Sequence, residues 1–384
     1  MKKTTFIHRA MLLLSLVGLL ILSAHADVKR EQSFSVGKTS SLEVSVSGGD
    51  ILVKTWEKQE INVIVEGLDD EDMEYVKIVQ TGNTVRVSYR PKWGNHGDAK
   101  FLMTVPSQCE LDLRTSGGDI DLQGNLLANA KGSTSGGDIT IEKIQGSVNM
   151  STSGGDIKTG DINGKADLRT SGGNITLATV NGEASVSTSG GDIRIEKVGK
   201  KLDARTSGGN VEVGDIGGDA TLSTAGGDVR VGRVTGNARL RTAGGDIVLN
   251  GASGIVEAKT AGGDIDLKNI TGSIEAKTAG GDIDAELNPS GSGESELKTA
   301  GGNVKLFIPA NAKATIEAVI RLRDDWGWSS KKNKYDIKSD FKADTYDKRG
   351  DDDGDEIHAT YVLNGGGEVI YLETVNGNID IRKK

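Results

Sequence analysis

The sequence predicts an all-β protein built as a parallel β-solenoid, a β-helix of 18-residue coils with irregular capping ends. Two observations predict it. The motif Thr-Ser/Ala-Gly-Gly-Asp/Asn-Ile/Val occurs eleven times between Thr115 and Val304, and its acidic or amide residue recurs after 19, then 18 eight times, then 21 residues. A fixed period of this length indicates one unit stacked on itself. Within each unit apolar and polar residues alternate, as on a strand with one buried side.

Residues 1–26 have the composition of an export signal. Lys2, Lys3 and Arg9 precede the apolar run 10–22, and Ala24-His25-Ala26 has the small-x-small form of a cleavage site. The apolar run is short for a membrane span, and no later stretch is long and apolar enough to serve as one. We therefore expect an exported mature chain that begins near Asp27, has no transmembrane segment, and lies in the periplasm or at the cell surface.

Charge and cysteine content exclude several classes of partner. The formal net charge is −9, and loss of the three cations of the signal makes it −12. Nucleic acid and anionic lipid both require a basic face, so neither is expected as a partner. Cys109 is the single cysteine. An exported chain with one cysteine must be stabilised by packing, and we expect Cys109 to be a small buried residue.

Residues 27–106 are interpreted as an N-terminal β portion and cap. Their alternating segments, such as 41–46, 61–65 and 85–89, are longer than the strands of the repeats that follow. Irregular ends are expected because an exposed final coil would pair with other chains.

Residues 107–320 form the repeat array, in which each unit has two short strands and two corners. In the unit 165–182, Ala166, Leu168 and Thr170 alternate with polar residues, and a second alternating segment follows a Ser-Gly-Gly corner. We expect the corner glycines to supply backbone angles that a β-carbon resists. Stacked at about 4.8 Å per coil, the array would be a rigid spacer about 50 Å long.

The array lacks aromatic residues between Phe101 and Phe307. Its interior must therefore be filled by Ala, Val, Ile and Leu. This favours a thin, two-sided coil over a wide three-sided one, although the number of faces stays open.

Residues 321–358 are highly charged and interrupt the repeat, which indicates an insertion loop. Residues 359–384 return to the repeat pattern, and we expect them to form a terminal coil and cap. Trp326 and Trp328 in the loop are candidate partner-binding residues. Covering the end of the core is the alternative role for these two rings.

Two proline corners flank the array, Val105-Pro106-Ser107 before it and Ile308-Pro309-Ala310 after it. Together with the Thr-x-Gly-Gly-Asp-Ile units, they resemble the bacterial putative-adhesin family of β-strand-repeat proteins of unknown function, which is LiaG-like. The resemblance covers roughly residues 40–384. It implies a β-helical, exported, non-enzymatic protein, and it brings no binding residues with it.

The Asp/Asn column is the main candidate for metal binding. Stacking would place its carboxylates about 4.8 Å apart, where they repel, and a bound Ca²⁺ could relieve the repulsion. The favoured alternative is that each Asp accepts a backbone N–H of its own Gly-Gly corner. No cofactor is therefore expected. If a calcium ladder exists, it would include Asp228, Asp246, Asp264 and Asp282.

The remaining repeat positions are interpreted as structural. A Thr column could order water, but each strand offers one Thr, and hydroxyls that bind backbone groups are the simpler interpretation. The positions of this structural set, in two successive units, are Thr170, Gly172, Gly173, Asn174, Thr188, Gly190, Gly191 and Asp192.

The sequence favours a non-enzymatic protein. Its two histidines beyond the signal, His96 and His358, both lie outside the array, and a catalytic cleft should interrupt the repeat locally. We expect an envelope or cell-surface interaction module of adhesin type that binds an unidentified protein or glycan. The alternatives are a periplasmic structural or envelope-stress scaffold that binds envelope proteins, and a calcium-stabilised β-solenoid.

Overall fold

The computed structural model describes residues 28–91, 99–289, 293–322, 334–351 and 354–384. The predicted export signal, His96, Trp326 and Trp328 lie outside these ranges. The described chain is all β apart from the short helix α1 (Asp70–Met73). The N-terminal part contains β1 (Val28–Ser35), β2 (Ser41–Val46), β3 (Asp50–Trp56), β4 (Glu60–Leu68), β5 (Val76–Thr81), β6 (Thr84–Tyr89) and β7 (Lys100–Pro106).

The array is a flattened solenoid in which every coil gives one strand to each of two parallel sheets, so the prediction of a β-solenoid is confirmed. Sheet B receives β8 (Glu110–Arg114), β10 (Ala130–Ser133), β12 (Val148–Ser151), β14 (Ala166–Arg169), β16 (Ala184–Ser187), β18 (Leu202–Arg205), β20 (Ala220–Ser223), β22 (Ala238–Arg241), β24 (Val256–Lys259), β26 (Ile274–Thr278) and β28 (Glu294–Thr299). Sheet A receives β9 (Ile120–Leu126), β11 (Ile139–Ile144), β13 (Ile157–Ile162), β15 (Ile175–Val180), β17 (Ile193–Val198), β19 (Val211–Ile216), β21 (Val229–Val234), β23 (Ile247–Ala252), β25 (Ile265–Ile270), β27 (Ile283–Leu287) and β29 (Val304–Ile308).

Equivalent residues of successive coils lie directly beside each other. Ile175 pairs with Ile157 on one side and with Ile193 on the other, each 18 residues away. Inward Ala, Val, Ile and Leu side chains thus form continuous buried columns between the sheets. Larger rings enter the core only outside the array, as where Tyr89 and Phe101 pack with ring centroids 5.8 Å apart.

The C-terminal part contains β30 (Ala314–Leu322), β31 (Ile337–Ser339), β32 (Thr345–Asp351), β33 (Gly354–Leu363), β34 (Glu368–Val375) and β35 (Ile379–Lys383). The expectation that 321–358 is a loop therefore needs correction. β31, β32 and the start of β33 lie within it. Charged residues are compatible with strands here because β32 and β33 form an antiparallel pair over the end of sheet B, with one side open to solvent.

The ends of the solenoid do not follow chain order. The coil β34–β35 stacks on β28–β29, but β30 and β31 lie outside it and pair with β34 and β35. The last coil in the sequence is therefore enclosed by β30 and β31 and is not the terminal layer in space. At the other end the coil β2–β3 is likewise enclosed between β8–β9 and β6–β7. An inserted coil has a partner on both sides, so no regular coil is left open at either end.

Antiparallel strands complete both caps. β4 and β5 run antiparallel to β7 and β6, and β33 runs antiparallel to β30. The two proline corners have one geometry, since Cys109 N–H donates to the Pro106 carbonyl and Ala312 N–H to the Pro309 carbonyl, each at 3.0 Å. Cys109 is fully buried, and burial raises the pKa of its thiol to about 11.

The corner glycines serve a different purpose from the one expected. None of the eleven Gly-Gly pairs has a φ in the left-handed region. At the second glycine of each pair, a β-carbon would lie only 2.0–2.3 Å from the carbonyl oxygen of the preceding coil's glycine. At the first glycine that distance is 3.1–3.7 Å wherever a neighbouring coil lies within reach. Close approach of the coils, rather than a special backbone angle, requires glycine at the second position.

This difference gives a matched pair of variants. We expect Gly173→Ala to lower the free energy of unfolding by about 2 kcal/mol or more, because its β-carbon would lie 2.0 Å from the Gly155 oxygen. Gly172→Ala, with 3.4 Å to the Gly154 oxygen, should lose less than about 1 kcal/mol. Urea unfolding followed by circular dichroism measures both. Equal losses would show that coil spacing is not the constraint.

Candidate functional site

The Asp/Asn column is a continuous hydrogen-bonded ladder along one edge of the solenoid. Oδ1 of each member accepts the backbone N–H of the equivalent residue in the next coil, over thirteen bonds of 2.6–3.1 Å. In spatial order the members are Asp50, Asp119, Asp138, Asp156, Asn174, Asp192, Asn210, Asp228, Asp246, Asp264, Asp282, Asn303, Asn378 and Asp336. The ladder thus joins the array to both caps.

Contrary to the expectation from the sequence, each Asp binds the next coil and not its own Gly-Gly corner. The N–H of the second corner glycine is already bound by the motif threonine, as in the 3.3 Å bond from Gly173 N–H to Thr170 Oγ1. The same hydroxyl donates across the coils to the Gly155 carbonyl at 2.8 Å. All eleven motif threonines and Thr374 repeat this donation at 2.6–2.9 Å, and all are buried. Each Asp is therefore left to bind the following coil.

The residues of the predicted structural set lie together in this corner. Thr170 and Thr188 form the inner ladder, Asn174 and Asp192 the outer one, and their Gly-Gly pairs lie between. Asp228, Asp246, Asp264 and Asp282, the candidates for a calcium ladder, are consecutive members of the outer ladder. One oxygen of each holds a backbone N–H, and Asp228 also pairs with Arg230 through Oδ2 at 2.9 Å. Calcium binding by these four carboxylates stays a prediction.

The outer face of sheet B carries a second ladder, of ion pairs, over its C-terminal half. Glu257 accepts from Arg239 at 2.7 Å, Arg241 at 2.5 Å and Lys259 at 2.8 Å. Lys259 also reaches Glu275, and Lys277 then joins Glu275 to Glu296 at 2.9 and 2.6 Å. The hydrogen bond from Lys259, with those of the two arginines, lowers the pKa of Glu257 to about 2.

A buried carboxylate continues these pairs into the cap. Glu373 is 2% exposed and binds Lys298 at 2.8 Å, Tyr371 Oη at 3.1 Å and Arg321 at 3.3 Å. Burial opposes ionisation of Glu373, but the bonds from Lys298 and Tyr371 outweigh it and hold the pKa below its usual value. Arg321 also pairs with Glu356 at 3.3 Å, and so ties β30 to β33.

Sequence reasoning missed an apolar surface beside this ladder. Ile255, Val369 and Val362 are 59%, 37% and 45% exposed. Val369 pairs with Thr315, which pairs in turn with Val362, so the two valines are two strands apart on the same outer face. Ile255 and Val369 line one groove of about 440 Å³ together with Tyr371 and Glu294. We call Ile255, Val362 and Val369 the apolar column.

Chain order concealed the apolar column. Its members are up to 114 positions apart in sequence and share one face because β34 inserts between β28 and β30, with Glu294 and Thr315 on either side of Val369. The one available signal was Ile255, an isoleucine at a corner position where neighbouring coils have Asp219, Asn237 and Ser273. Scattered apolar surface residues are ordinary, whereas a row of them on one face is typical of a contact surface.

The geometry defines a capped, two-sheet parallel β-solenoid. Comparison with known protein families shows the family to which this solenoid belongs. The chain belongs to the Toastrack DUF4097 family, whose model matches residues 39–215 and 200–341. The resemblance to β-strand-repeat proteins of unknown function is thereby confirmed. No curated protein matches the chain. Within the described residues, no helix is long and apolar enough to cross a membrane.

Several solved structures are similar to the chain at low identity. A putative adhesin from Bacteroides fragilis is 12% identical, with 93% of this chain and 97% of that chain covered and a TM-score of 0.22. A putative cell adhesion protein from Clostridium sporogenes is 8% identical, with 93% and 100% covered and a TM-score of 0.20. A putative adhesin from Parabacteroides distasonis is 13% identical, with 68% and 98% covered and a TM-score of 0.31.

The Asp/Asn ladder can be tested by removing one acceptor. Asp264→Ala removes the carboxylate oxygen that accepts the Asp282 N–H at 2.7 Å, and it should lower the free energy of unfolding by about 1–2 kcal/mol. Asp264→Asn keeps an acceptor, as Asn174 and Asn210 do, and should be near neutral. The melting temperatures of the two variants, measured together with that of the parent chain, test whether the acceptor or its charge is required. A large loss in Asp264→Asn would mean that the charge itself, and hence a bound cation, is required.

The ion-pair ladder predicts acid sensitivity. Because the folded pKa of Glu257 lies below its value in the unfolded chain, its stabilisation is present above pH 4.5 and is lost as the pH falls toward 2. We expect Glu257→Gln to lower stability at pH 6 by up to about 3 kcal/mol and to have little effect near pH 2. Urea unfolding at several pH values measures the difference. Glu212→Gln, at an exposed carboxylate 3.9 Å from Arg194, is the control and should show a small effect at every pH.

Proposed function

We propose that the chain is an exported, non-enzymatic interaction module of adhesin type, which binds a protein or glycan of the cell envelope or cell surface. The apolar column carries this proposal. It places three exposed β-branched side chains in one row at the C-terminal end of sheet B, beside a groove. No requirement of the repeat explains them, since other coils have polar residues at the position of Ile255.

The carboxylates of the array support a non-enzymatic role because they are engaged in holding the coils together. The Asp ladder binds backbone N–H groups, and Glu257, Glu275 and Glu373 each bind two or more cations or hydroxyls. A carboxylate held ionised by several donors is a poor proton acceptor in catalysis. The proposal includes no cofactor.

In this proposal the array is a rigid spacer that holds its two caps apart. The ladders extend from Asp50 to Asp336, so every coil is tied to the next at its corner as well as through its strands. A contact made at the C-terminal cap is thereby held at a set distance from the N-terminal cap. Trp326 and Trp328 follow β30 in the chain and remain predicted partner-binding residues.

The apolar column predicts where binding is lost. Fluorescently labelled mature protein should bind saturably to intact cells of the source bacterium that lack their own copy. The triple variant Ile255→Thr, Val362→Thr, Val369→Thr should weaken that binding about tenfold, because it removes apolar area while keeping β-branched shape. The matched control is Tyr75→Thr with Val79→Thr, which alters a similarly exposed pair at the N-terminal end.

Unchanged binding by the triple variant would contradict the assignment of this surface. Binding that requires permeabilised cells would favour the periplasmic scaffold over surface adhesion. Deleting residues 324–356 would remove β31, β32 and the start of β33, and so part of the cap, whereas point substitutions leave these strands in place. The double variant Trp326→Ala, Trp328→Ala tests the two predicted partner-binding tryptophans independently of the apolar column.

A further inference from the structure

The N-terminal half of sheet B carries a pattern that the proposed function does not use. In one outward column serine and arginine alternate strictly over six coils, in the order Ser151, Arg169, Ser187, Arg205, Ser223 and Arg241, and the last of these also joins the ion-pair ladder through Glu257. We call these six residues the Ser/Arg column. Equivalent positions of adjacent coils are about 4.8 Å apart, so the pattern repeats about every 9.6 Å along the solenoid axis.

Each central arginine has an acidic partner on its own strand. Arg169 pairs with Asp167 at 3.1 Å, and Arg205 pairs with Asp203 at 2.7 Å. The arginine side chains are 59% and 58% exposed, so more than half of each side chain is accessible to a ligand. The coils between and beside them present small polar side chains in the same two columns, namely Asn149, Ser151, Ser185, Ser187, Thr221 and Ser223.

Fold stability does not account for this arrangement. Exposed ion pairs contribute little to stability, typically about 0–1 kcal/mol. In the C-terminal half of the same face, cations bridge carboxylates of successive coils, as Lys259 and Lys277 do. Around Arg169 and Arg205 the pairs stay within one strand and are separated by hydroxyl-bearing coils. The result is a flat strip that is locally neutral and in which donors and acceptors alternate.

The chemistry of the strip matches a neutral polysaccharide. Sugar hydroxyls both donate and accept, so they can bind a guanidinium, a carboxylate and a serine hydroxyl side by side. A polyanion would meet the Asp partners and the net charge of −9. In a β-1,4-linked glycan each sugar is turned over relative to the one before it, so its chemistry also repeats every second unit. One sugar advances such a chain by about the rise of one coil.

We propose that the Ser/Arg column binds an extended, uncharged β-1,4-linked glycan lying along the solenoid axis, and that its source is the sugar backbone of the bacterial cell wall, which is an N-acetylhexosamine chain. The source follows from the export on which the proposed function also rests. No aromatic residue occurs between Phe101 and Phe307, so the strands of the Ser/Arg column offer no ring to stack on a sugar. Each sugar is therefore bound weakly by polar groups, and the affinity depends on how many coils the glycan spans.

The test uses the purified mature chain with chitobiose, chitotetraose and chitohexaose as probes, measured by isothermal titration calorimetry. Affinity should rise at least about tenfold from the disaccharide to the hexasaccharide. Arg169→Ala with Arg205→Ala should lower the hexasaccharide affinity about tenfold at an unchanged melting temperature. The control is Lys259→Ala with Lys277→Ala, which alters two cations of the same face in its C-terminal half and should leave the affinity unchanged.

Affinity that is independent of length, or equal in the arginine variant and the parent chain, would overturn the proposal. A pelleting assay with purified peptidoglycan sacculi tests the source, and oligosaccharide binding without pelleting would overturn that assignment. Failure of the glycan proposal can be distinguished from failure of the proposed function, because the two tests use different variants. Loss of cell binding in the Ile255, Val362 and Val369 variant concerns the apolar column, whereas the arginine variant concerns only the glycan strip.

Discussion

The approach of each coil to the next at the corner is the constraint on which the rest of the structure depends. The second motif glycine lies so close to the preceding coil that a single added carbon would meet its carbonyl oxygen at 2.0–2.3 Å. This approach brings the Thr170 hydroxyl within 2.8 Å of one coil's carbonyl and the Asp156 carboxylate within 2.6 Å of the next coil's N–H. Backbone groups that would otherwise be unpaired at a corner are thereby satisfied in every coil.

The same spacing explains the caps and leaves the outer faces free to vary. A regular coil would offer its edge to any similar coil, so each end encloses an inserted coil and then reverses strand direction. The outward residues are not constrained by the corner, and they differ along the chain. Sheet B has intrastrand Arg–Asp pairs in one half, bridging ion pairs in the other, and an apolar column near the cap.

Much of the fold could be predicted from the sequence because the determinants are local and repeated. The alternation of apolar and polar residues over 166–170 indicates a strand. The Gly-Gly pair indicates a corner, and its recurrence gives the period of the repeat. What could not be predicted depends on contacts between coils. The Asp ladder binds the following coil because the Thr hydroxyl already accepts the nearer backbone N–H. The position of β34 between β28 and β30 differs from its order in the sequence and so could not be predicted from it. The apolar column was missed for the same reason. Val362 and Val369 lie on one face because both pair with Thr315 of the strand between them.

Hydrogen exchange of the ladder amides tests the central claim most directly. The N–H groups of Asp156, Asn174 and Asp192 lie at the exposed edge of the solenoid, yet each is bound by a side chain of the preceding coil. They should therefore exchange about as slowly as the strand amide of Ile175, which binds the Asp192 carbonyl. Exchange of the three amides near the rate of an unfolded chain would show that the coils are not joined through this ladder.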